Sequence, residues 1–197
     1  MEFLRSSSSL LILSLCSFLL SFLVFRSQAQ ATLDPNEAVA LRSLSEKWGI
    51  SSSASWNISG EPCSGTAIDT SKIEDNNPAI KCSCTSTTCH ITHMRVYAMS
   101  LNGSFPEEIG NLTSLTNLNL AQNYLTGPLP AFIGNLASMQ YLTLGINMLS
   151  GTVPMELGSF RDIRILYGFS FQFLVIVFVI DFNGHGNSSC SIAPIST

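Results

Sequence analysis

Charge is what this sequence has least of. Lys and Arg together number 9 and Asp and Glu 13 in 197 residues, 11% of the chain, for a net charge of −4. With no basic cluster, the chain makes a poor nucleic-acid binder. Catalytic signatures are missing too. There is no Gly-rich phosphate loop, no GxSxG elbow, no HExxH, and none of the kinase signatures V-A-I-K, H-R-D and D-F-G. The histidines lack the companions that a triad or a metal would require. The residues therefore point away from an enzyme, and call for no metal and no cofactor.

What is present is a sentence of 24 residues written twice. Leu112 to Asn135 reads LTSLTNLNLAQNYLTGPLPAFIGN, and Leu136 to Ser159 reads LASMQYLTLGINMLSGTVPMELGS. Leu112, Leu115, Leu118, Leu120, Leu125, Leu129 and Ile133 all fall on apolar residues, and Asn123/Asn147, Gly127/Gly151, Pro130/Pro154 and Gly134/Gly158 coincide. A fixed period of this size means a solenoid, and LxxLxLxxNxL is the leucine-rich repeat pattern. Its LxLxx portion predicts a short strand, stacked with its equivalents into a parallel sheet whose leucines point inward. Asn123 and Asn147 are expected to be structural, bonding backbone groups of neighbouring turns, because a buried amide must be satisfied. Gly127-Pro128 and the Gly151 to Pro154 stretch are expected to turn the chain onto the convex side.

Both ends differ from this middle. Met1 to about Ala31 has Arg5 near its start, an apolar run from Leu10 to Phe25 and small residues at Ala29 and Ala31. That order of basic, apolar and small residues predicts a secretory signal peptide, with a retained signal anchor as the weaker alternative. Without it, the chain keeps 7 basic residues (nine less Arg5 and Arg26) against 12 acidic ones (thirteen less Glu2). Export puts Cys63, Cys82, Cys84, Cys89 and Cys190 in an oxidising compartment, where disulfides persist. It also makes glycosylation possible at the N-x-S/T triplets of Asn57, Asn102, Asn111 and Asn187.

Asp34-Pro35-Asn36-Glu37 opens a helix: Asp34 is a good N-cap, Pro35 suits the first position, and Glu37 takes the third place of a capping box. Leu41, Leu44 and Trp48 make its apolar stripe, and Gly49 ends it. Trp56 to Cys89 is turn-rich. Its four cysteines allow three pairings, among which the sequence does not choose, although a Cys82–Cys84 bond is disfavoured by strain. A zinc site from Cys84, Cys89, His90 and His93 matches no standard finger spacing. Cys89 to Asn111 is a worn repeat in which Met99 stands at the asparagine position, as terminal repeats often do. Phe160, Ile163 and Leu166 begin a fourth, and at Tyr167 the pattern stops. Phe169 to Ile180 is an apolar run too short for the ~20 residues of a helical span. Asp181 to Thr197 is polar and reads as disordered. The expected organisation is a signal peptide over 1–31, a cap over 32–89, repeats over 90–166 and an aberrant tail over 167–197. An altered splice or misread frame accounts for that tail better than a membrane anchor does.

Function in a solenoid is carried by the outward residues of its strands. Those expected outward are His93, Arg95 and Tyr97, then Asn117, Asn119 and Ala121, then Tyr141, Thr143 and Gly145. Tyr97 and Tyr141, large and amphipathic, are the best contact candidates. Three strands form a small platform, because a specific protein interface needs ~800 Å² a side.

Taken together, these residues resemble a family. The DPNEAVALRSL helix, the SWNISGEPC segment and the cysteine cluster resemble the plant-type N-terminal cap of leucine-rich repeat proteins. The HITHMRVYAMSLNGSFPEEIGNLTSLTNLNLAQNYLTGPLP stretch is similar to leucine-rich repeat receptor-like serine/threonine kinases with a malectin-like domain after the repeats. The resemblance covers about Ala31 to Leu166. It implies an α/β leucine-rich repeat solenoid with a parallel β-sheet on the concave face and a disulfide-containing helical cap. It further implies a non-catalytic extracellular recognition module, at the apoplast or the outer face of the plasma membrane. The implied partners are a protein, a peptide or a cell-wall carbohydrate, with a co-receptor, and no nucleic acid; membrane association stays open. The family's kinase residues map onto nothing here. Two other readings remain: a secreted repeat inhibitor of cell-wall hydrolases, and a truncated product without function.

Overall fold

The computed structural model describes residues 30–50, 56, 58–67, 76–171 and 174–179, with backbone alone after Leu166. The chain divides into two compact units, Met1–Gln30 and Ala31–Thr197, and the elements described all lie in the second. The expected signal peptide up to residue 29, Asn57, Asn187, Cys190 and residues 180–197 lie outside the described residues.

The cap begins with a two-residue strand, β1 (Thr32–Leu33), and the helix α1 (Pro35–Trp48). Asp34 caps the helix: its Oδ1 accepts from the N–H of Asn36 at 2.9 Å and of Glu37 at 3.3 Å. Gly49 ends the helix with φ +63°, a left-handed conformation that costs glycine nothing. The expected capping box is incomplete. β1 runs parallel to β3 (Thr88–Arg95), and this pairing hands the Asp34 N–H to the Cys89 carbonyl at 2.9 Å. Glu37 therefore has no donor to reach back to. It is buried and turns to β3, where Oε2 accepts from the Ile91 N–H at 2.7 Å and Oε1 meets His90 Nδ1 at 2.9 Å. The carboxylate joins helix to sheet instead of closing its own first turn.

β2 (Ala79–Thr85) forms an antiparallel hairpin with β3. The cysteines pair as Cys63–Cys82 and Cys84–Cys89. One bond fastens the turn-rich segment to β2, and the other crosses the hairpin close to its turn. All four thiols of the cluster are thereby used, and the sulfurs of Cys84 and Cys89 are not available as metal ligands.

From β3 onward the repeat dictates the architecture. β5 (Asn117–Asn119), β7 (Tyr141–Thr143) and β9 (Ile165–Phe171) stack parallel on it. Met94, Leu118, Leu142 and Leu166 stand in one register. The first three are fully buried because each turn covers the leucines of the next. The strand does not stop where the sequence pattern stops. β9 runs through Phe171, and β10 (Leu174–Val179) returns antiparallel beside it. The apolar run thus enters the sheet as strand. Among the described residues no helix is long and apolar enough to cross a membrane.

A second, three-stranded parallel sheet joins β4 (Asn102–Ser104), β6 (Tyr124–Pro128) and β8 (Met148–Ser150). Gly127-Pro128, which reads as a turn, is the end of β6, whereas Gly151 to Pro154 follows β8 without strand structure. Both glycines have positive φ, 77° and 81°, and bend each strand toward the convex side. There the chain forms a 3₁₀ turn once per repeat, at Glu107–Asn111, Ala131–Asn135 and Met155–Ser159. Gly134 is required for a different reason. A Cβ on it would lie 2.8 Å from Glu156 Cβ and 3.0 Å from the Glu156 carbonyl, so successive turns could not close up.

Asn123 is buried and fully employed. Oδ1 accepts from the N–H groups of Met99 and Leu101, and Nδ2 donates to the carbonyls of Val96, Leu120 and Ala121. Asn147 repeats the arrangement one turn on, accepting from Leu125 N–H and donating to Leu120 and Leu144. Each amide satisfies backbone groups of two turns that no strand pairing reaches.

Candidate recognition face

Sheet register turns the candidate residues into two rows. His93, Asn117, Tyr141 and Ile165 lie side by side in one, and Arg95, Asn119, Thr143 and Tyr167 in the other. Between them runs the buried leucine row. Strand alternation explains the pattern: the residues flanking each inward leucine face the other side of the sheet. The side chains of His93, Arg95, Asn117, Asn119, Tyr141 and Thr143 are half-buried, each screened by its neighbours across the strands. The position two residues past each strand behaves differently. Tyr97 remains half-buried, but Ala121 and Gly145 are buried, so those two offer no contact surface. They are expected as outward residues and are covered because the chain turns out of the sheet at Leu120 and Leu144.

Several of these side chains already have local work. Asn119 Oδ1 accepts from the Ala121 N–H at 3.1 Å, leaving its amide nitrogen to face outward chemistry. The Arg95 guanidinium lies 5.6 Å from the centroid of the Tyr97 ring, a cation–π distance that steadies both groups. His93 Nδ1 sits 2.9 Å from Thr92 Oγ1. Burial, and then the charge of Lys81 on the neighbouring strand, hold the His93 pKa below the usual 6.5. The imidazole is neutral at neutral pH and presents a hydrogen-bonding edge without charge. The face therefore carries one fixed cation, two aromatic rings and a band of neutral polar groups.

Two residues that shape this face have no signal in the repeat. Asn77 accepts from the Tyr97 N–H at 2.9 Å and donates its amide to the Tyr97 carbonyl, fixing the tyrosine from outside the strand. Lys81 stands opposite His93 in the β2–β3 register. Both lie in the cap, whose cysteines and turns set no period that could place them. A reading of 76–85 as a strand alternating against His93 would have found Lys81. The triplet asparagines Asn102 and Asn111 are exposed, in β4 and at the end of the first 3₁₀ turn.

Known proteins agree with this geometry. The Leucine Rich Repeat family model matches residues 114–136, the first clear copy. One probable leucine-rich repeat receptor-like serine/threonine-protein kinase of Arabidopsis thaliana is 48% identical over 109 residues, 52% of this chain and 11% of the relative. A second from the same plant is 49% identical over 97 residues, 46% of this chain and 9% of the relative. The chain thus spans about a tenth of the length of the curated relatives it matches. Among solved structures, the BIR3–SERK2 complex from Arabidopsis thaliana shares the fold at a TM-score of 0.50 and 23% identity, over 65% of each chain. The matched part of the relatives is their leucine-rich repeat ectodomain, and this chain contains no kinase domain. The period, the stacked strands and the matched relatives make this a leucine-rich repeat chain, similar in its repeats to the ectodomains of plant receptor-like serine/threonine kinases.

Proposed function

We propose that this chain is a non-catalytic extracellular recognition module, the N-terminal portion of a receptor-like kinase ectodomain. The observation that carries this reading is the paired row of outward side chains on β3, β5 and β7, with Tyr97 just past the end of β3. His93, Arg95, Tyr97, Asn117, Asn119, Tyr141 and Thr143 form a continuous strip of rings, amides and one guanidinium. Such a strip suits an extended peptide or a protein edge. Its backbone amides need neutral polar partners, its acidic groups need Arg95, and its apolar side chains need the tyrosine rings. Three repeats offer a small platform, so the ligand is shared with a co-receptor or with further repeats. The two disulfides support an oxidising compartment, at the apoplast or the outer face of the plasma membrane. Within this reading, 1–31 is the leader, 32–89 the cap and 90–166 the repeats. Placement with the malectin-containing receptors rests on the sequence resemblance alone.

The test uses a library of extended peptides displayed on phage and selected against the secreted chain. Binders should lose at least tenfold in affinity with Tyr141→Ala or Arg95→Ala, and keep it with Glu156→Ala on the opposite side. Binders indifferent to both face variants would remove the basis for this reading.

A further inference from the structure

The convex side carries a feature that recognition by the strand face does not use. Between the 3₁₀ turns Glu107–Asn111 and Ala131–Asn135 lies an open cleft of about 360 Å³, lined by Glu107, Glu108, Gly110, Asn111, Phe132 and Asn135. Its aromatic wall is fixed. Phe132 is half-buried, its ring centroid lies 6.0 Å from that of Phe105, and its Cδ2 sits 2.9 Å from where a Cβ on Gly110 would stand. Only glycine at 110 lets the ring settle so closely onto the turn. Glu108 is tied elsewhere, accepting from Ser43 Oγ at 2.9 Å and paired with Lys47 Nζ at 2.6 Å. Glu107 is exposed and so is Asn135.

The same cleft holds an acceptor triplet. Asn111 and Thr113 are exposed, while Leu112 between them is fully buried and anchors the turn. The 24-residue period places an asparagine at the same point of the next turn, Asn135, but Ala137 follows it where Thr113 follows Asn111. The hydroxyl that N-glycosylation requires occurs once. Asn102, the other described triplet, lies in β4 beside Tyr124 and is not among the residues that line this cleft. None of β3, β5 and β7 contains a triplet.

We propose that Asn111 carries an N-linked glycan and that its first N-acetylglucosamine rests in this cleft. The apolar C–H face of the sugar lies on the Phe132 ring, whose electron-rich face attracts it. Its hydroxyl and acetamido groups reach Glu107 and Asn135. In the transfer, the sugar C1–O bond of a lipid-linked diphospho-oligosaccharide breaks and a C1–Nδ2 bond to Asn111 forms. Nδ2 gives up one proton, and the lipid diphosphate leaves. The glycan then covers the convex side between two turns and leaves the strand rows bare.

This inference rests on the secretory part of the proposed function, and the experiment separates the two. The full chain is expressed in plant cells with its own leader and with a substituted secretory leader, and its glycopeptides are read by mass spectrometry. Expected is occupancy at Asn111, abolished by Thr113→Ala. Occupancy with the substituted leader alone refutes the native secretory reading and upholds the site. An unmodified Asn111 with both leaders refutes the site. The seat of the sugar is tested by Phe132→Leu, which keeps an apolar side chain, alongside Phe132→Ala. Both should lower Tm by about 2–4 °C more in protein trimmed to a single N-acetylglucosamine than in the Thr113→Ala background. Equal shifts in the two backgrounds would place the sugar outside the cleft.

Discussion

Asn123 and Asn147 occupy the same position in the two clear repeats, yet the structure asks more of one than the other. Asn123 is buried and serves five backbone groups, whereas Asn147 is half-buried and serves three. Each buried group left unsatisfied costs ~1–3 kcal/mol. Asn123→Ala should therefore cost at least ~3 kcal/mol in urea unfolding, and Asn147→Ala about half as much; an equal or reversed order would refute this account. The importance of the asparagine was legible from the repeat, but the difference between the copies was not. It lies in the Met99 N–H and the Ala121 carbonyl, which Asn123 serves, while their equivalents one turn on, the Asn123 N–H and the Gly145 carbonyl, bond to Ile146 and Gln122. A second residue-scale feature had no signal at all. Ala98, Gln122 and Ile146 recur every 24 residues with φ of 50°, 56° and 57°. None is a turn residue by composition, so the sequence hides a left-handed step in every repeat. Ile146 suffers most, being β-branched and 63% exposed, with little packing in return. Ile146→Asn should raise stability by ~0.5–1 kcal/mol, seen as a higher Tm. A lower Tm would mean that the exposed side chain contributes more than its backbone strain costs.

Among the elements, α1 shows how much a local signal can say. Its cap, its apolar stripe and its stop were legible because each is decided within a few residues. The partner of Glu37 was not, because β3 lies more than fifty residues away and wins the carboxylate from the capping box. The second sheet was missed for a related reason: strands of three to five residues that contain or run up to a positive-φ glycine look like turns. The helix is also tied to the first 3₁₀ turn through Lys47, Ser43 and Glu108. Burial works to raise the Glu108 pKa, but hydrogen bonds from Lys47, from its own backbone and from Ser43, with the Lys47 charge, outweigh it. The carboxyl is held below its ordinary 4.5 in the folded chain. A lowered folded pKa favours the native state above the unfolded value, and this contribution is lost as pH falls through the folded one. Thermal melts from pH 6 to pH 3 should show Glu108→Gln less stable than wild type at pH 6, with the gap closing below about 4.5. A gap that persists at pH 3 would mean that the link between helix and repeat is not ionic.

At the scale of the molecule, a solenoid is only as stable as the neighbours each turn has. The candidate face was legible as a set of strand positions, since alternation within LxLxx fixes which side each residue takes. Its true extent was not: the closing-in of Ala121 and Gly145 and the pinning of Tyr97 by Asn77 depend on contacts across turns. The same contacts predict a gradient. Leu118 and Leu142 are 0% exposed between turns on both sides, whereas Leu166 is 7% exposed in the last repeat strand. Gly134 is pressed by the turn after it, but a Cβ on Gly158 would meet nothing within 4 Å. Hydrogen exchange should therefore be slowest at Leu120, whose N–H is bonded to Thr143 at 2.9 Å, and faster at Ile165, bonded to Gln140 at 3.1 Å. Truncation should follow the same slope, with Leu142→Ala costing ~3–5 kcal/mol and Leu166→Ala ~2 or less, because the site near the end of the stack can relax. If both truncations cost the same and both amides exchange together, the chain unfolds as one cooperative body. The β9–β10 hairpin would then be acting as a cap on the C-terminal side of the stack, closing the array as α1 and the disulfides close the other side.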